Sequence, residues 1–101
     1  MKTVIYEMLH EEKQRNIEMQ ETYLNEIMSL PKGSVVVKNV SDNQYYYLKY
    51  RLNDKVKTDY LGKDSNTVEA IRRDIEKRKH LQDVLKRLRL EYKQICKIVK
   101  D

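Results

Sequence analysis

The chain has 101 residues, 37% of them charged, with a formal net charge of +5, two glycines, one proline and one cysteine. That length leaves no room for two independent hydrophobic cores, so a single domain, 1–101, is expected. The lone Cys96 excludes an internal disulfide and fits a reducing, cytoplasmic setting, and no apolar run approaches the ~18 residues of a membrane span. Charge is unevenly placed. Residues 1–30 carry 3 basic and 6 acidic side chains, net −3; residues 31–65 carry 7 and 4, net +3; residues 66–101 carry 11 and 6, net +5. An acidic first third thus precedes a basic remainder, which favours an anionic partner.

The periodicity predicts a long helix over 3–29. Ile5, Leu9, Met19, Tyr23 and Ile27, flanked by Met8, Leu24 and Met28, recur at three- and four-residue steps. From His10 to Asn16 every residue is polar, and that turn is expected on the surface or at a bend. "LPKGS", residues 30–34, ends the helix: Pro31 disfavours a helical Leu30, and Gly33 permits a turn.

Residues 34–62 read as an antiparallel three-stranded meander. "SVVVKNV" is β-branched, "SDNQ" is a turn, "YYYLKYR" is aromatic and extended, and Asn53-Asp54 suits a tight hairpin. "KVKTDYL" alternates strictly, and Gly62 closes it. A second long helix follows over 66–100, with Asn66 and Glu69 placed like a capping box. Val68, Ile71 and Ile75 begin its apolar stripe. Leu81, Leu85, Leu88, Tyr92, Ile95 and Val99 continue it as a heptad seam. Between Ile75 and Leu81 the phase slips and Arg78 falls where an apolar residue belongs, so a bend or a change of packing partner is expected there. The fold class is therefore α+β: a long helix, a β-meander and a long coiled-coil-like helix. The two helices should pack on each other, and the length of the second seam suggests a homodimer.

Four of the eight tyrosines lie between Tyr45 and Tyr50, interleaved with Lys49 and Arg51. Alternate strand residues point to opposite faces. Grouping the less charged positions puts Tyr46, Leu48, Tyr50, Val56 and Tyr60 on a core face. Tyr45, Tyr47, Lys49, Arg51, Lys55 and Lys57 then share an outer face that is both aromatic and cationic. Tyrosines stack on bases, and lysine and arginine neutralise phosphates. The same residues also suit a purely structural sheet, because tyrosine forms strands well and lysine and arginine keep an exposed sheet soluble.

The combination "LPKGSVVVKNV", "QYYYLKYR" and "KVKTDYLGKDS", followed by "IEKRKHLQDVLKRL", resembles a family of small prokaryotic proteins and modules. The matching positions are Pro31, Lys32, Gly33, Ser34, Tyr45, Tyr46, Tyr47, Leu48, Tyr50, Arg51, Lys55, Val56, Lys57, Tyr60, Gly62 and Lys63. The resemblance spans roughly residues 30–90 and leaves the acidic first helix outside. It implies the sheet-and-helix architecture and brings no catalytic site, because that family has no assigned activity.

Other candidates point to little chemistry. His10 and His80 stand alone, outside any metal-ligand spacing. Glu7, Glu11, Glu12, Glu18, Glu21 and Glu26 read as a solvated helix face. GxxxxGK[ST], GxGxxG and GxSxG are all missing, so no enzyme, metal or cofactor is expected. Arg72, Arg73, Lys77, Lys79, Lys86, Arg87 and Arg89 are spread around the second helix and fit either a solvated coiled-coil exterior or contacts to a phosphate backbone. Two functions remain: a non-enzymatic module binding DNA or RNA, with Lys49, Arg51, Lys55 and Lys57 on phosphates and Tyr45 and Tyr47 stacking, or a coiled-coil interaction protein with no nucleic-acid role.

Overall fold

The computed structural model describes residues 3–100. The element order is α1 (Val4–Ser29), β1 (Ser34–Val40), β2 (Asn43–Leu52), β3 (Lys55–Gly62) and α2 (Ser65–Ile98), the α+β arrangement the sequence predicts. The chain divides into two compact units. One contains Leu30–Lys79, which is the sheet with the first part of α2; the other combines α1 with the chain from His80 onward.

In the sheet unit, the strand order is β1-β2-β3, all antiparallel. Each hairpin turns in two residues, Ser41-Asp42 (φ 48° and 66°) and Asn53-Asp54 (φ 51° and 63°). Positive φ at both central positions is what a type I′ turn requires, and the short polar side chains of Asn and Asp tolerate it best. The first turn is shorter than the predicted "SDNQ": Asn43 already pairs with Val40, and β2 begins there.

The first part of α2 follows one side of this sheet. Val35 shares a hollow with Arg72, Ile75, Glu76 and Lys79. Asn39, Gln44 and Tyr46 share another with Ser65, at the start of the helix. Val68 and Ile75 are buried there. The helix is capped by Asp64, not by the predicted Asn66–Glu69 box. The Asp64 carboxylate accepts from the Asn66 backbone N–H at 2.9 Å and from the Thr67 hydroxyl at 3.2 Å, and its carbonyl accepts from the Val68 N–H at 3.2 Å. An aspartate satisfies orphan helix donors and complements the positive end of the helix dipole as well, so it outcompetes the asparagine two residues on.

Gly33 explains part of the "PKGS" signature. Its φ of 116° lies in the region that favours glycine. A Cβ there would run into the Lys49 carbonyl oxygen and lie 3.0 Å from the Tyr50 Cβ. Nearby, the Arg78 guanidinium donates to the Leu30 carbonyl at 2.6 Å. That charged side chain interrupts the apolar stripe because it serves a backbone acceptor just beyond α1.

In the helical unit, Thr3 caps α1: its hydroxyl accepts from the Tyr6 N–H and its carbonyl from the Glu7 N–H, both at 3.1 Å. Ile27, Leu81, Leu85, Leu88 and Val99 are buried, with Tyr92 and Ile95 half-buried. The seam of α2 is therefore covered within a single chain, and the reason for expecting a homodimer, a seam too long for one partner, does not hold. Ile5, Met8, Leu24 and Met28 are exposed. The packed side of α1 runs through Tyr6, Leu9, Lys13, Asn16, Gln20, Tyr23 and Ile27 instead.

The polar turn expected on the surface is thus partly core. Asn16 is only 3% exposed. Its amide Nδ2 donates to the Leu88 carbonyl at 3.0 Å, and its Oδ1 accepts from Gln20 Nε2 at 2.6 Å. A buried amide is tolerable when its donor and acceptor both find partners, which polarity along the sequence does not reveal. Arg15–Glu12, Arg72–Glu69, Lys79–Glu76 and Arg87–Asp83 form ion pairs of 3.1–3.7 Å one turn apart within a helix. All are solvent-exposed and add little stability.

Two stability predictions follow from these contacts. Gly33→Ala, which adds a Cβ against the Lys49 carbonyl at a positive φ, should lower the unfolding free energy by about 2 kcal/mol or more in urea titrations. Asn16→Ala, which strands the Gln20 amide and opens a small void, should cost ~1–3 kcal/mol by the same assay.

Candidate nucleic-acid interface

The Asn53-Asp54 turn decides which residues of the sheet face the same way. With two turn residues, Leu52 pairs with Lys55, Arg51 with Val56, Tyr50 with Lys57, Lys49 with Thr58, Leu48 with Asp59 and Tyr47 with Tyr60. Directly paired residues share a face. On the other side of β2, Lys38 pairs with Tyr45, Val36 with Tyr47 and Ser34 with Lys49.

One side of the sheet therefore carries Val36, Lys38, Tyr45, Tyr47, Lys49, Arg51, Val56, Thr58 and Tyr60. The opposite side, along which the first part of α2 runs, carries Val35, Val37, Tyr46, Leu48, Tyr50, Leu52, Lys55, Lys57 and Asp59. The structure separates the six residues grouped from sequence. Tyr45, Tyr47, Lys49 and Arg51 stay together on the outer side, whereas Lys55 and Lys57 lie on the opposite one. Tyr60 and Val56, expected in the core, are outer residues, 57% and 55% exposed. The physical reason is parity: grouping by charge pairs even with even residues of β2 and β3, and a two-residue turn forbids that.

The outer side gains residues that sequence reasoning missed. The Tyr60 ring sits between those of Tyr45 and Tyr47, with centroids 6.4 and 5.3 Å away and planes tilted by 43° and 52°. The Lys38 ammonium lies 4.8 Å from the centre of the Tyr47 ring, and the Lys63 ammonium 4.8 Å from that of Tyr45. Lys38, Lys49, Arg51 and Lys63 are all exposed. Among the described residues no strand position on this side is a carboxylate, since Asp59, the only acidic residue of the described strands, faces the other way opposite Leu48. Lys38 and Lys63 were visible in the sequence; the signal that would have placed Tyr60 beside Tyr47 was the constant sum of paired residue numbers set by the turn.

On the α2 side, Asp59 is the diagonal neighbour of Tyr50 across β2 and β3. Hydrogen bonding toward the Asp59 carboxylate, desolvation and its negative charge push the Tyr50 pKa above its ordinary value near 10.

The remaining sequence candidates build no second site. Among the described residues no group of three or more His, Cys, Asp or Glu could hold a metal ion. Cys96 is a half-buried free thiol. His10 borders a hollow with Tyr6, Glu7 and Glu11, and His80 is exposed. No helix is long and apolar enough to cross a membrane.

Fold and face together define a small α+β module that presents an aromatic, cationic sheet surface. The chain belongs to the DUF6788 family, a domain of unknown function, whose family model matches residues 7–73. The match begins inside α1, so the first helix, outside the resemblance seen in the sequence, is part of the family domain, and it ends in the first turns of α2. No curated protein and no solved structure matches the chain.

The Tyr50–Asp59 neighbourhood has a pH signature. An acid whose folded pKa is raised keeps its contribution in full below the unfolded value near 10 and loses it as pH climbs through that value toward the folded one. In an ultraviolet titration of the tyrosinates, one ring should ionise later than the exposed ones. Asp59→Asn should bring that late step down into the main transition, and Tyr50→Phe should delete it.

Proposed function

We infer that the protein is a non-enzymatic nucleic-acid-binding module and that the outer side of its sheet is the contact surface. The observation that carries this reading is the coincidence of Lys38, Lys49, Arg51 and Lys63 with a three-tyrosine cluster on a surface whose strands contribute no carboxylate. A soluble but merely structural sheet would be served as well by mixed charge, as on the α2 side, where Lys55 and Lys57 lie with Asp59. Cations of one sign beside aromatic rings favour a polyanion with planar groups. Lysine and arginine would neutralise phosphates, and each neutralised phosphate releases counterions, so affinity would be strongly salt-dependent. The tyrosine hydroxyls would add hydrogen bonds to phosphate or sugar.

The coiled-coil adaptor reading would draw on the seam of α2. Leu81, Leu85, Leu88 and Val99 are buried within the chain, which leaves that surface already occupied. The acidic α1 repels a polyanion and is no part of the proposed interface.

The test uses the register itself as a control. Fluorescence anisotropy of labelled oligonucleotides over a salt series should show binding that weakens steeply with salt. Lys38→Glu/Lys49→Glu/Arg51→Glu should lose about a hundred-fold or more in affinity. Lys55→Glu/Lys57→Glu, on the opposite side, should lose less than about ten-fold although it removes two of the same charges. Equal losses in both variants would reduce the effect to net charge, and absence of binding at moderate salt would remove the proposed function.

A further inference from the structure

We propose that the nucleic acid taken by this surface is a duplex, contacted along its backbone and groove, and not a single strand stacked on the tyrosines. The proposal rests on the reading given above and narrows its substrate class.

The argument turns on what the ring faces are doing. Recognition of single strands without sequence preference relies on aromatic rings that present open faces on which successive bases stack. Bases that continue one stack are parallel to one another. Here neighbouring rings are tilted by 43° and 52°, so Tyr45 and Tyr60, or Tyr47 and Tyr60, cannot both lie flat against consecutive bases of one stack. Tyr45 and Tyr47 are half-buried, and each has a lysine ammonium 4.8 Å from its ring centre. The lysines alone would not exclude stacking. An exposed cation–π contact shifts an equilibrium only about two- to five-fold, whereas a base stack contributes roughly five- to a hundred-fold, so a base could displace a lysine. The tilt decides the matter, because relieving it means dismantling the three-ring cluster.

What the surface does offer outward is ammonium, guanidinium and hydroxyl groups. A duplex displays phosphates and groove edges and hides its base faces, so it needs no open ring. Beyond Lys49, the last β2 residue paired with β1, the β2–β3 hairpin continues as two strands alone, Tyr50–Leu52 against Lys55–Lys57, and a two-stranded ribbon is what a major groove about 12 Å wide admits. Arg51 lies on that ribbon and Lys49 at its base. Lys38 on β1 and Lys63 after β3 flank it, about 20 Å from Arg51 if measured by the six residues from Tyr45 to Arg51 along β2. Cations on the ribbon and on both flanks suit two backbones bordering a groove better than one linear chain.

The experiment compares one labelled strand with its own duplex by anisotropy at matched salt. Wild type is run beside Tyr60→Phe, which removes only the hydroxyl, and Tyr60→Leu, which removes the ring as well, with circular dichroism confirming that all three are folded. The duplex should bind about ten-fold tighter or better, and Tyr60→Leu should stay within about three-fold of Tyr60→Phe on it, because no base is stacked there. A single strand bound as tightly as the duplex or tighter overturns the duplex assignment and leaves the nucleic-acid reading standing. So does a Tyr60→Leu loss of about five-fold or more relative to Tyr60→Phe on the favoured polymer, the signature of a lost stack. If neither polymer binds, the nucleic-acid reading itself fails and takes this inference with it.

Discussion

The two-residue turns of the meander are the constraint on which the outer face depends. With Asn53 and Asp54 both at positive φ, Leu52 must pair with Lys55, and every pair as far as Tyr47–Tyr60 follows. A slip of one residue would exchange the two sides of β3. It would bring Lys55, Lys57 and Asp59 beside Tyr45 and Tyr47, and carry Tyr60 and Val56 across to the α2 side. The chemistry of the outer surface, with its tyrosine cluster and unopposed cations, is therefore written in a turn whose side chains need not touch any partner. The bulge between Tyr46 and Tyr47, where Tyr46 pairs with Gly62 in place of Leu61, falls within the tyrosine trio, between Tyr45 and the Tyr47–Tyr60 pair. It leaves the Tyr47–Tyr60 pair intact while bending the end of β3.

A second constraint is that one helix serves two cores. α2 is continuous over 34 residues, yet its stripe before Lys79 belongs with the sheet and its seam after His80 with α1. The slip in apolar phase between Ile75 and Leu81 falls where one unit ends and the other begins, between Lys79 and His80. Arg78 fills the gap by bonding the Leu30 carbonyl. That acceptor would otherwise be left where the chain departs from helical pairing before Pro31.

The elements themselves were legible because each rests on short-range chemistry. Pro31 and Gly33 stop α1, β-branched and aromatic runs make the strands, and the heptad spacing from Leu81 to Val99 marks the side of α2 that is buried. Two things were not legible, for different reasons. Asn16 looks like a surface residue because its burial depends on the Leu88 carbonyl 72 positions away and on Gln20 one turn along; local pattern carries no trace of a long-range acceptor. The faces of β3 are different, because their cue is present: apolar grouping and turn length point opposite ways, and for a hairpin joined by two residues the backbone count is the stronger rule, since it admits no half-steps. Lys38 and Lys63 escape the sequence for a separate reason: Lys38 is placed by the β1–β2 pairing and Lys63 by the end of β3, so the alternation within β2 and β3 does not match either to the tyrosine it lies over.

The number of cations on the outer face also bounds what kind of binder this would be. Four neutralised phosphates give a salt slope near −3.6 on a duplex, so a four-fold rise in salt weakens binding by roughly a hundred-fold. That is a modest electrostatic contribution beside proteins that engage six to ten phosphates. Such a surface positions a polymer without discriminating its sequence, because lysine on phosphate carries no base information. Arg51 is the exception in kind: a guanidinium can pair in bidentate fashion with a guanine edge, whereas a lysine is a point charge. A hairpin tip that offers one arginine and one lysine, Arg51 and Lys49, thus has at most a narrow capacity for base readout, with the remaining affinity resting on shape and charge.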